Sequence, residues 1–231
     1  MTESSGREPR IRTTPGPKGQ HRLSLRRLGT MLNLLAPDQV SLDAMREMLR
    51  SDDLLVRYNA ARLLSQRGDR DARLIIEEAL RQGEAPTRAS VARHLYRLSW
   101  FSTEPLLRAS LTDQDRRVRG AAVFSLCEIR QLAAYQMLEQ ALKAEHDEVL
   151  EAAAYGLRDT SDPAALPVLR CVLQAEDPDV RIKALEVLGM SGIKSAVEMV
   201  RAALFDAEAD VKYAAVLSLL ELAGETWLEE L

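Results

Sequence analysis

The chain has 231 residues, of which 46% are apolar and only 4% aromatic, a balance that suits thin layers of helices better than one thick globular core. Its net charge of -4 is uneven: residues 1–27 hold seven Lys/Arg against two Glu, so the N-terminal part is basic and the remainder acidic. There is no run of 18 apolar residues and no hydrophobic stretch of the kind that opens a secretion signal, so a membrane span is not expected and the expected compartment is the cytoplasm.

Residues 1–22 combine Gly6, Pro9, Pro15, Gly16, Pro17 and Gly19 with several arginines and almost no apolar residue, and read as a flexible basic arm. From Leu23 a helical pattern begins (Leu25, Leu28, Leu32, Leu35), and a second runs from Val40 to Leu49; together they form a degenerate opening repeat. Regularity then takes over. Stepping by 31 residues from Val180 lands on Val56, Thr87, Val118, Val149 and Val211, and the same step from Leu188 gives Leu64, Leu95, Leu126, Leu157 and Leu219. Second helices are marked by Leu49, Leu80, Leu111, Leu142, Leu173 and Leu204. The fixed period predicts six regular helical pairs starting near residues 53, 84, 115, 146, 177 and 208, and residues 23–231 as one all-α, right-handed solenoid. No pair can bury its apolar stripe alone; stacking makes the core continuous.

In every repeat but the fourth an acid stands three residues before the ladder valine or threonine and can cap the helix start, as in Asp177-Pro-Asp-Val-Arg. The residues four, five and eight after the valine face the core, while those two and six after it face outward. The pattern Asp-x-x-Val-Arg-x-x-Ala-Ala/Val/Leu-x-x-Leu at 53–64, 115–126 and 177–188 resembles HEAT repeats of the short kind found in phycobilisome lyases. Asp162-Pro163-Ala164-Ala165-Leu166-Pro167 is similar to the second-helix opening of that family, with proline where no helical N–H is needed. The resemblance implies the solenoid fold, and as an activity it implies attachment or removal of a bilin on a phycobiliprotein. Another HEAT-repeat enzyme type, a di-iron hydroxylase acting on a modified lysine, depends on repeated His-Glu pairs, and this sequence has none.

Chemistry-bearing residues are sparse. Cys127 and Cys171 fall in non-equivalent registers, and His21, His94 and His146 are scattered, so neither a metal site nor a cofactor site nor a catalytic constellation is expected. Arg57, Arg88, Arg119, Arg181 and Lys212 form a ladder beside the capping acids, read as capping and inter-repeat ion pairing; repeat four breaks it with His146 and Leu150. Function is therefore sought where one repeat departs from its siblings. Trp100 and Phe101 occupy an inter-helix loop whose counterparts are small or polar, and either anchor a partner or fold back over the helix ends. On the outer face Phe124, Tyr155, Ile182, Tyr213 and Leu217 form an interrupted apolar stripe, either a contact surface or covered in part by adjacent first helices. The second helices alternate in charge sign along the array, unlike the uninterrupted basic stripe of a nucleic-acid reader. The expected function is a non-catalytic protein-interaction module whose partner is another protein. The alternatives are a subunit of a phycobilin lyase-like enzyme and nucleic-acid binding through the basic arm.

Overall fold

The computed structural model describes residues 34–143 and 147–223. The predicted arm, the helix expected from Leu23, His146 and Trp227 lie outside the described residues. Within them are twelve α-helices, and no strand. Helix α1 (Leu42–Leu49) closes the opening repeat. The first helices of the six regular repeats are α2 (Leu54–Arg67), α4 (Ala85–Ala92), α6 (Arg116–Ile129), α8 (Asp147–Gly156), α10 (Pro178–Met190) and α12 (Ala209–Ala223). Second helices are α3 (Arg70–Gln82), α5 (Trp100–Leu111), α7 (Leu132–Leu142), α9 (Leu166–Val172) and α11 (Val197–Ala202). First helices pack on first helices from α2 to α12, and the chain is an all-α solenoid.

The two ladders read from the sequence are where the core sits. Val56, Thr87, Val118, Val149, Val180 and Val211 are all buried, as are Leu64, Leu95, Leu126, Leu157, Leu188 and Leu219. On the second helices the deepest line is Met45, Ile76, Leu107, Leu138, Leu169 and Val200, each fully buried. The leucines four residues later are shallower, with Leu80, Leu173 and Leu204 only half-buried. Dispersion and apolar burial in these lines hold each layer to the next, at about 2 kcal/mol for each large side chain taken fully from water.

Local chemistry sets the ends of the helices. Asp53 caps α2 by accepting from the backbone of Leu55 at 2.8 Å, and Asp115 and Asp177 do the same for Arg117 and Asp179 at 2.9 Å each. Glu84, one methylene longer, sits at the cap of α4 without a side-chain bond to it. The turns between paired helices alternate. Repeats one, three and five use a left-handed residue, Gly68 (φ 57), Arg130 (φ 49) and Gly192 (φ 66), whereas Ser99 before α5 is extended at φ -65. Arg130 is the one described non-glycine residue at positive φ. The even first helices are correspondingly shorter: α4 ends at Ala92 and continues as a 3-10 turn, Leu95–Arg97. Second helices of repeats four and five are also shorter than those of repeats one to three, being composites with the 3-10 turns Pro163–Ala165, Lys194–Ala196 and Ala203–Phe205.

Candidate protein-binding surfaces

The structure divides the Trp100–Phe101 pair. Neither residue is on a loop: both open α5, whose first turn follows Ser99. Trp100 is half-buried and packs against the core, so it plugs the layer, while Phe101 is 91% exposed. Pro105 lies inside the same helix and has no N–H to offer the carbonyl of Phe101 four residues earlier.

The outer stripe is divided as well. Phe124 is half-buried beneath the guanidinium of Arg93, 3.9 Å from its ring centroid, and Ile182 packs on the core. Tyr155 is exposed, with the Lys183 ammonium 5.5 Å from its ring centroid. Tyr213 and Leu217, on α12, are exposed and are joined there by Val216 and Leu220. The residue five after the valine is fully buried in repeats one to five (Ala61, Ala92, Val123, Ala154, Leu185), yet Val216 is 45% exposed. In the earlier repeats the following first helix covers this position. The repeat pattern assigned Val216 to the core, and the correction comes from its place in the last described layer, which the period alone does not encode.

Repeats one to three carry a second kind of surface. Arg97 lies over the ring of Tyr96 at 4.8 Å, and Tyr96 meets Phe124 edge-on with centroids 6.3 Å apart. Beneath them His94 is buried against Tyr58, ring centroids 4.3 Å apart, and its Nδ1 donates to the carbonyl of Ser90 at 2.9 Å. Burial first, and then the charges of Arg97, Arg93 and Arg62, push His94 down to about 4, so it is neutral at pH 7. The guanidinium of Arg62 is likewise held below its ordinary value by burial and by Arg97.

The arginine ladder has partners that the sequence reading missed. Arg88 forks onto Asp113, Nε and Nη2 each donating at 2.7 Å, and Arg181 forks onto Asp206 at 2.9 and 2.8 Å. These acids lie two residues before the next repeat's capping position, and each is held below the usual carboxylate range, chiefly by the hydrogen bonds from its arginine. Repeat four replaces the pair at both ends: Leu150 stands for the arginine and Ala175 for the acid, and both are buried. The change of both partners together was the signal available in the sequence. Among the capping acids, Asp115 pairs with Arg117 and not with a ladder arginine.

Neither thiol is activated toward its thiolate. Burial pushes Cys127 up to about 12, and burial also raises Cys171. Among the described residues no three His, Cys, Asp or Glu side chains gather as metal ligands. No described helix is long and apolar enough to cross a membrane. The charged second-helix positions mostly form local exposed pairs, such as Arg108–Glu104 and Lys143–Glu139.

Stacked helical pairs with an apolar seam and a capped, arginine-bearing first helix define an α-solenoid of the HEAT class. The chain belongs to the HEAT-repeat family: the HEAT repeats profile matches residues 103–176 and 171–231, and the profile of the PBS lyase HEAT-like repeat matches residues 56–82. No curated protein matches it in sequence. Among solved structures it is similar to YibA of E. coli, at 18% identity and TM-score 0.49 over 95% of this chain and 91% of that one. It is similar to human deoxyhypusine hydroxylase, at 18% identity and TM-score 0.44 over 90% and 92% of the two chains. It is also similar to the CpcE–CpcF complex of phycocyanin lyase from Nostoc sp. PCC7120, at 22% identity and TM-score 0.39 over 98% of this chain and 73% of that one.

Proposed function

We propose that the chain is a non-catalytic protein-interaction module that presents a preformed solenoid surface to another protein. The observation that carries this reading is the outward face of α12, where Tyr213, Val216, Leu217 and Leu220 stand exposed at and beside a position that the five preceding repeats bury completely. Contiguous exposed apolar side chains of this kind mark contact sites, and a rigid scaffold loses little conformational freedom when it binds. Phe101 and Tyr155 are further anchors; Trp100, Phe124 and Ile182 hold the layers beneath them. Placement in the cytoplasm suits two cysteines that form no disulfide.

The test is an affinity pull-down of the tagged chain from its source cells, beside a Tyr213→Ser/Leu217→Ser double variant, with mass spectrometry and an absorbance spectrum of each eluate. A stoichiometric, colourless protein partner that the double variant loses is the expected result. A pigment-carrying eluate would transfer the conclusion to the lyase-like reading, and a partner retained in full by the variant would move the contact away from α12.

A further inference from the structure

The forks at Arg88 and Arg181 supply a template for what repeat one lacks. In each, Nη1 donates to backbone carbonyls at the repeat boundary while the Nε–Nη2 edge grips both oxygens of an aspartate. Arg57 keeps the first half of this arrangement, its Nη1 donating to the carbonyl of Ser51. The second half is missing. The position of Asp113 and Asp206 is taken by Gln82, the last helical residue of α3, and the Nε of Arg57 is buried and makes no hydrogen bond among the described residues. Arg57 and Gln82 line a groove of about 590 Å³ between α1, α3 and the start of α4, which Arg46 and Arg50 also line.

We infer that this groove receives a carboxylate from an extended segment of a partner protein: Arg57, whose Nε is covered in the free chain, turns its Nε–Nη2 edge into the groove and makes on that carboxylate the fork that Arg88 and Arg181 make on Asp113 and Asp206. A planar carboxylate matches the two-donor edge, as the internal pairs show. Glu78, Asp52 and Glu84 on the groove walls select a single negative charge over a dianionic phosphate or a nucleic-acid backbone. The inference rests on the protein-interaction reading but uses a face remote in sequence from α12, so the two fail separately.

The probe is the acetylated, amidated peptide Ala-Ala-Asp-Ala-Ala, titrated into the full chain labelled with 15N while the arginine Nε–H resonances are followed by NMR. A saturable shift of the Arg57 resonance is expected, with those of Arg88 and Arg181 unmoved, and about tenfold or greater loss of affinity for the Asn analogue of the peptide. Arg57→Lys, which keeps the charge and loses the fork, should bind about tenfold more weakly, while Arg88→Lys should bind as the parent does. An unmoved Arg57 resonance, equal binding of the Asn peptide, or equal loss in Arg88→Lys would overturn the inference. So would tighter binding of inorganic phosphate or of a dT oligonucleotide at the same resonance. A shift of that resonance with protein concentration alone would give the groove to a second copy of the chain instead.

Discussion

His94 shows how one side chain sets a property of the whole array. It is buried beneath the Arg62, Arg93 and Arg97 charges with its Nδ1 proton committed to Ser90, so the folded chain keeps it neutral down to about pH 4. In the unfolded chain it titrates near its ordinary value of about 6.5. As pH falls below that value the unfolded state takes up a proton that the folded state refuses, and stability declines until the pH passes the folded value. The expected loss between pH 7.5 and 5 is about 2 kcal/mol, measured as the change in urea unfolding free energy, and His94→Gln should remove that slope whatever its own cost. Asp113 and Asp206 act in a lower window. Their folded values are depressed by Arg88 and Arg181, so the stability they contribute is present above the ordinary carboxylate value of about 4 and is lost as pH falls through the lower folded value. A slope between pH 7.5 and 5 that persisted in His94→Gln would remove His94 as its source.

At the scale of one helix, α5 separates two aromatic neighbours into different roles. Trp100 closes the layer over the core and Phe101 projects into solvent, because successive residues of a helix point about 100° apart. Trp100→Ala should therefore lower the unfolding free energy by about 2 kcal/mol, somewhat below the range for a fully buried tryptophan. Phe101→Ala should change it by less than about 0.5 kcal/mol while weakening partner capture. Equal costs for the two would show that Phe101 packs where its exposure says it does not. The sequence made the pair conspicuous but gave the wrong element, since helix boundaries within a repeat shift by a few residues while its buried ladder does not. The ladder was legible for a physical reason: Val118 or Leu126 must meet equivalent neighbours in every layer. The carboxylate partners of the arginines were not legible in that way, because Asp113 and Asp206 recur in only some repeats and give way to Gln82 or Ala175 in others. Leu150 with Ala175 is the informative exception, as a charged pair was exchanged as a unit for two apolar side chains, an exchange that a buried site tolerates when both partners change together.

For the whole molecule, stability in a stacked array belongs to interfaces between neighbours and not to a common centre. The residue five after the valine isolates this effect, because the same side chain occurs at it in the middle and in the last described layer. Val123, on α6, is fully buried with α8 packed beyond it, whereas Val216, on α12, remains 45% exposed. Truncating Val123 leaves a cavity between layers and should lower the unfolding free energy by about 2 kcal/mol. Truncating Val216 removes little buried surface and should cost about 0.5 kcal/mol or less. A partner seated on α12 would change only the second value. It would place Val216 at an interface like the one that already encloses Val123, and the truncation would then weaken the complex more than it weakens the free chain. Measured with denaturant on the isolated chain and by titration with the captured partner, the pair of valines reports whether this face of α12 works as one more interlayer seam. If Val216→Ala costs the isolated chain as much as Val123→Ala does, the face is already covered in solution and the contact site lies elsewhere on the solenoid.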